Sequence, residues 1–169
     1  HFPAEGKAGK MVRIKGDYYS VSPLALRKNL EIFCQNKREF CIQATADYGN
    51  ILICDVGATL TGSILQTYTE EAYQSKGGDR GYFAFGGSTT VLLFEKGKIN
   101  FSKDLIANTK AGLETTIKMG ETIAQKILEI RGYDISQQEI DRLKTERLAK
   151  VRLGRKAKPL TMSLYFLGI

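Results

Sequence analysis

The sequence predicts a mostly β domain, a compact barrel or sandwich of short strands with a C-terminal α-helix. Three observations carry this expectation. Fourteen of the 17 glycines fall within residues 1–120, where they punctuate short apolar runs as turn residues do. Those runs are brief and closely spaced, as in all-β architectures. Only beyond residue 135 does the pattern change to a capped, helix-forming segment.

Taken in order, the strand candidates are Met11–Ile14, Tyr18–Val21, Phe40–Ala46, Ile51–Val56, Gly62–Tyr68, Tyr82–Phe85, Thr89–Glu95 and Ile99–Ser102. Turn signals separate them at Lys15-Gly-Asp17, Asp47-Tyr-Gly-Asn50, Lys76-Gly-Gly-Asp79 and Glu95-Lys-Gly-Lys98. In the third candidate, Phe40, Ile42 and Ala44 alternate with Cys41, Gln43 and Thr45, as one buried sheet face requires. The helix is expected from about Gln137 to Leu153. Ser136-Gln-Gln-Glu139 forms a capping box, and Ile135 and Ile140 occupy the staple positions. The apolar stripe of this helix is Ile140, Leu143, Leu148 and Val151, and Gly154 ends it. The segment after Pro159 is apolar but too short to span a bilayer.

Composition narrows the function classes. Of 169 residues, 43% are hydrophobic and 25% charged, which excludes wholesale disorder. The net charge is +7, from 25 basic and 18 acidic residues. Eight of those basic residues and a single acid, Glu146, lie between Arg142 and Lys158, so the remainder is neutral. A neutral body and a basic run without aromatic residues argue against nucleic acid as the partner. Cys34, Cys41 and Cys54 are odd in number, lack a CxxC spacing and fall in apolar runs. They read as buried core residues in a reducing compartment, and no metal site is expected. The chain begins at His1, its only histidine, without a Met or a signal-peptide pattern. It is expected to be a fragment or processed form that lacks an upstream part.

No phosphate-binding loop occurs, and neither does a GxSxG elbow. The unusual segment is Gly81-Tyr-Phe-Ala-Phe-Gly-Gly-Ser-Thr-Thr90. One reading is a hairpin or bulge, with glycine supplying backbone freedom and Ser and Thr capping the turn. The other is a self-processing serine. If Gly87 is held in a strained conformation, the Ser88 hydroxyl can attack its carbonyl and convert the amide to an ester. A nearby base must take the hydroxyl proton. Elimination then frees the Gly87 carboxylate and leaves a dehydroalanine. Hydrolysis of the dehydroalanine to a pyruvoyl group would supply an electron sink.

Five ordered blocks favour the second reading. They are His1-Phe-Pro3, Gly16-Asp-Tyr-Tyr-Ser-Val-Ser-Pro23, Val56-Gly-Ala-Thr-Leu-Thr-Gly-Ser-Ile64, Lys76-Gly-Gly-Asp-Arg-Gly-Tyr-Phe-Ala-Phe-Gly-Gly-Ser-Thr89 and Ile117-Lys-Met-Gly-Glu-Thr-Ile-Ala124. Together they resemble the C-terminal catalytic part of the pyruvoyl-dependent phosphatidylserine decarboxylase family, over roughly residues 1–125. The resemblance implies cleavage between Gly87 and Ser88, giving α and β chains from one precursor and a covalent pyruvoyl group derived from Ser88. It implies that His1, matching the second histidine of the YHRxHxP segment, is the base. The aspartate that orients this histidine in the family lies upstream of the sequence. The processing motif here has Gly86 where leucine is common in the family.

The resemblance further implies decarboxylation of phosphatidylserine to phosphatidylethanolamine and CO2, by a peripheral enzyme on an anionic membrane and facing the cytoplasm. A homodimer is compatible with it. Residues 126–169 extend beyond the resemblance as a basic helical extension with a short apolar end, to which docking at the bilayer is assigned as an expectation. Two alternatives stay open: a pyruvoyl-dependent decarboxylase of a small amino acid, and a non-catalytic β-rich binding module.

Overall fold

The computed structural model describes residues 1–59, 63–85 and 88–127, together with the backbone at 162–163. Its centre is an antiparallel hairpin of two eight-residue strands, β3 (Arg38–Thr45) and β4 (Gly49–Val56), in register from Arg38↔Val56 to Thr45↔Gly49. Gly49, at φ 69°, closes the turn in the left-handed conformation that glycine adopts without penalty. Strand β8 (Thr89–Phe94) pairs with the other side of β4, from Val56↔Thr89 to Ile51↔Phe94. The outer edge of β3 is shared by β1 (Gly6–Ala8) and β2 (Val12–Ile14), one toward each end. Strand β6 (Tyr73–Gln74) completes the sheet beyond β1.

Among the described residues three small antiparallel pairs stand apart from this six-stranded sheet. They are β5 (Ser63–Gln66) with β7 (Gly81–Ala84), β9 (Ile99–Phe101) with β11 (Ala124–Lys126), and β10 (Thr116–Ile117) with β12 (Met162–Ser163). The mostly β expectation holds. Among the described residues the sheets stay open and do not close into a barrel. The expected helix over 137–153 lies outside the described residues.

Both faces of the central sheet carry a core. Ile51, Ile53 and Cys41 pack with Phe2, Ala4, Ala8 and Met11 on one side. On the other, Val56 packs with Leu26, Ile32 and Phe33, contributed by α1 (Pro23–Lys28) and α2 (Ile32–Gln35). Burying an aliphatic or aromatic side chain of this size stabilises by roughly 1.5–3 kcal/mol. These contacts fix β4 from both sides, and β4 in turn positions the start of β8.

The alternation expected in β3 is present, and the buried set is Glu39, Cys41 and Gln43, whereas Ile42 is 50% exposed. The polar members of the buried set are partly satisfied, with Glu39 Oε2 and Gln43 Oε1 lacking a hydrogen-bond partner among the described residues. The Gln43 side-chain amide donates to the Ala4 carbonyl at 2.8 Å, and Glu39 lies within salt-bridge range of Arg13 and Lys37. Polar burial with partners is tolerated, so the buried face need not be the more hydrophobic one.

Tyr18–Val21 forms no strand. The Asn36 side chain takes its backbone hydrogen bonds instead, accepting from Tyr19 N–H at 2.9 Å and donating to the Tyr19 carbonyl at 2.8 Å. The same amide donates to the Gly57 carbonyl at 2.8 Å, which ties this loop to the end of β4. Directly after it comes α1, begun by a Ser22 cap on Ala25 N–H and by Pro23 at the first helical position. A third short helix, α3 (Lys103–Lys110), follows β9.

Candidate active site

Ser88 lies immediately before β8, half-buried, and its hydroxyl donates to the Val56 carbonyl at the end of β4. The β4–β8 register then places Thr89 opposite Val56 and Thr90 opposite Asp55. Thr90 Oγ1 donates to Asp55 Oδ1 at 2.9 Å. Gly87, the residue on the other side of the expected cleavage point, is outside the described residues. Phe85, two residues earlier, has φ 66° and is 91% exposed.

Asp55 is the hub beneath this strand start. Its Oδ2 accepts from Arg80 Nη1 at 2.5 Å and from Gln66 Nε2 at 2.8 Å, and the second guanidinium nitrogen of Arg80 donates to the Ile53 carbonyl at 3.4 Å. Both Asp55 and Arg80 are buried. Burial opposes the charge on Arg80, but the Asp55 carboxylate outweighs it and holds the guanidinium pKa above its ordinary value. Thr89 Oγ1 is buried and has no hydrogen-bond partner among the described residues. A free buried hydroxyl beside Ser88 can serve a carbonyl oxygen at that position.

His1 is placed by a second set of contacts. Phe2 N–H donates to the Gly78 carbonyl at 3.0 Å, and Gly77 N–H donates to the Phe2 carbonyl at 2.9 Å, so the 1–3 segment pairs with the 76–79 loop. The Phe2 ring anchors the pairing, buried edge-on against Tyr68 with centroids 5.3 Å apart. His1 Nδ1 lies 3.1 Å from the Gly77 carbonyl and 3.1 Å from Asp79 Oδ1. His1 and Ser88 share no hydrogen bond. What relates them is the adjacent pair Asp79-Arg80, which touches His1 through its first member and the Asp55 hub through its second.

His1 also borders an apolar cavity of about 210 Å3, lined by Phe2, Ile51, Leu92, Phe94 and Ile123 among others. Such a cavity suits the hydrocarbon part of a ligand. Among the described residues no cluster of His, Cys, Asp and Glu is arranged to hold a metal ion. The three cysteines are unbonded, and Cys34 is exposed, not in the core as its apolar run suggested. No helix among the described residues is long and apolar enough to cross a membrane.

Sequence reasoning brought His1 and Ser88 forward but passed over Asp55, Gln66, Asp79 and Arg80. The available signal was Asp55 itself, an acid set between the apolar run Ile51–Cys54 and Val56. Such a residue must find a buried donor or leave the strand.

Comparison with known proteins adds an independent line. The family model described as phosphatidylserine decarboxylase matches residues 1–125. The phosphatidylserine decarboxylase proenzyme of Clostridium novyi is 49% identical over 127 residues, 75% of this chain and 43% of that protein. The proenzyme of Fusobacterium nucleatum is 49% identical over 121 residues, 72% of this chain and 40% of its own length. That of Clostridium perfringens is 48% identical over 126 residues, 75% of this chain and 43% of the relative. The chain therefore spans about two-fifths of the length of these relatives. No solved structure matches it.

Proposed function

The chain belongs to the phosphatidylserine decarboxylase family, and we propose that it carries the self-processing and catalytic residues of a decarboxylase that converts phosphatidylserine to phosphatidylethanolamine and CO2. The observation that supports this most is the setting of Ser88, a hydroxyl held by the Val56 carbonyl immediately before a strand anchored on a buried ion pair.

In processing, Ser88 Oγ adds to the Gly87 carbonyl as its proton passes to a base. The Gly87–Ser88 amide bond breaks and an ester forms. Elimination releases the Gly87 carboxylate as the end of a β chain, and hydrolysis of the resulting dehydroalanine expels ammonia and leaves a pyruvoyl group on the α chain. His1 is the base in this reading, because a neutral imidazole accepts a proton near neutral pH. The residues of the site are compatible with the group. The pairing of β8 with β4 holds position 88 in place, and the unpartnered Thr89 hydroxyl can donate to a carbonyl there. When formed, the pyruvoyl ketone supplies the electron sink for the charge left by departing CO2.

The chain's own residues then orient the substrate. The apolar cavity beside His1 favours an amphiphile over a free amino acid, since its wall offers hydrocarbon contact that a small zwitterion would not use. The basic run from Arg142 to Lys158 would approach an anionic bilayer, at about 1 kcal/mol for each Lys or Arg near the surface. Enzyme and membrane then associate peripherally.

Intact-mass measurement on the full-length gene product tests the processing step. The expected result is two pieces dividing at Gly87/Ser88, with no free amine on the second, and a single intact chain for Ser88→Ala. A wild-type protein that stays whole under conditions where vesicle phosphatidylserine is decarboxylated would overturn it.

A further inference from the structure

We propose that Lys76 and Lys118, on the rim of the apolar cavity, hold the phosphodiester of the lipid substrate, so that the substrate is selected at its phosphate as well as at its acyl chains. This assignment rests on the reading of the chain as part of a phosphatidylserine decarboxylase. It adds the residues that recognise the anionic link between head group and glycerol.

The cavity differs between its walls and its rim. Ile51 is buried and Leu92, Phe94 and Ile123 are half-buried, so the walls are hydrocarbon. The rim carries two exposed lysines from separate segments, Lys76 in the loop before β7 and Lys118 in the turn between β10 and β11. Backbone hydrogen bonds fix both segments. Gly77 N–H donates to the Phe2 carbonyl at 2.9 Å, and Glu121 N–H donates to the Lys118 carbonyl at 3.0 Å. Neither ammonium has an ion-pair or hydrogen-bond partner among the described residues. The only acid among the lining residues, Glu121, is folded back onto its own turn, where Oε2 accepts from Lys118 N–H at 2.8 Å. Two lysines against one glutamate leave the rim positive.

Apolar walls beside uncommitted cations are the complement of an amphiphile whose negative charge adjoins its hydrocarbon. Phosphatidylserine has two anionic groups that could answer this description. Its carboxylate is the group that leaves as CO2 and must lie at position 88, which is not among the residues lining the cavity. Leu92 and Phe94, which do line it, stand four and six residues farther along β8, roughly 13 and 20 Å at 3.3 Å per residue. The reacting end and the hydrocarbon end of the ligand are thus separated along one strand. In the lipid the phosphodiester lies between the serine and the acyl chains, and it is the anion that meets the rim. A lysine ammonium suits it as a compact charge with three donors and no demand for a fixed approach.

The test uses the full-length gene product in micelles of a neutral detergent, where no anionic surface adds its own attraction. Lys76→Ala and Lys118→Ala are each expected to raise KM for dioctanoyl-phosphatidylserine by roughly three- to tenfold, with the loss in KM and not in kcat. Lys118→Glu is expected to raise it further, and Lys118→Arg, which keeps the charge, to stay close to the wild type. Self-cleavage involves no lipid and is expected in every variant. Dioctanoyl-phosphatidylglycerol has the phosphodiester without the serine. It is expected to inhibit the wild type competitively and to weaken by the same factor in the alanine variants, whereas dioctanoylglycerol, which has no phosphate, acts on all of them alike. An unchanged KM and unchanged phosphatidylglycerol inhibition in both alanine variants would overturn the phosphate role. Loss of self-cleavage in them would overturn it too, by assigning the lysines to the fold. A wild type that self-cleaves but leaves phosphatidylserine intact would overturn the parent reading. Calorimetric titration with dioctanoyl-phosphatidylglycerol then still decides the lysines, since equal binding by wild type and alanine variants would remove them from the phosphate.

Discussion

The Asp55 carboxylate and the Arg80 guanidinium meet at 2.5 Å with only 5% and 6% of their side chains exposed. The pair joins the middle of the central sheet to the loop that carries Asp79, and Thr90 ties it to the strand that begins just after Ser88. One buried contact thus organises the ground around both proposed reacting groups. Its energetic consequence is asymmetric. A buried pair adds little over an apolar substitute, but one partner left alone is an uncompensated charge.

Asp55→Ala is therefore expected to destabilise by about 3–5 kcal/mol. The paired replacement Asp55→Leu with Arg80→Met is expected to recover much of that, because neither charge is left buried. Urea denaturation of the three proteins measures both numbers. A cost below about 1 kcal/mol for the single change would show that Arg80 finds another partner or water.

If the chain is cut after Gly87, β4 and β7 lie on one product and β8, β9 and β11 on the other. The two remain joined by the full β4–β8 ladder, by the Thr90–Asp55 hydrogen bond and by the core that Leu92 and Phe94 share with Ile51. The expected outcome is that the pieces elute together in size-exclusion chromatography under native conditions and separate only in denaturant. Separation in plain buffer would contradict the ladder as the holding element.

How much of this was legible in the sequence follows from what each signal reports. Seven of the eight expected strands coincide with observed ones, because turn glycines and apolar runs record local backbone preference. The failure at Tyr18–Val21 has a nonlocal cause, since the partner of that backbone is the side chain of Asn36. Helices α1 and α2 were missed although Ser22-Pro23 is a helix-start signal, because four to six residues are too few to show a helical period. The site divided in the same way. His1 and Ser88 stood out through family blocks, whereas the Asp55–Arg80 and His1–Asp79 contacts span 25 and 78 positions and are set by strand register and loop pairing alone.

Cysteine reactivity gives a pH-resolved check of the fold. Burial, reinforced by the neighbouring Asp55, pushes the Cys54 thiol up to about 11. At pH 8 only about one part in a thousand is then thiolate, the reactive form. Cys34 is exposed and Cys41 is fully buried. Alkylation at pH 8 is expected to modify Cys34 within minutes and to leave Cys54 and Cys41 unmodified over the same time. Raising the pH toward 10 should speed labelling of Cys54. Peptide mapping by mass spectrometry reads the sites, and rapid modification of Cys54 at pH 8 would contradict its desolvated setting.

Phe85 provides the last prediction. Its φ of 66° lies in the left-handed region, where a side chain costs roughly 1–2 kcal/mol that glycine avoids. The ring is 91% exposed and returns little of that cost through burial. Phe85→Gly is therefore expected to raise stability by about 1 kcal/mol, and Phe85→Ala, which keeps the strain, to leave it nearly unchanged. The residue stands two positions before Gly87, so strain held at 85 is available to the segment that must distort before Ser88 attacks. Relief in Phe85→Gly should then lengthen the half-time of self-cleavage severalfold, while Phe85→Ala cleaves at the wild-type rate. Equal slowing in both variants would assign the effect to the lost ring, and no slowing in either would separate the strain at 85 from processing altogether.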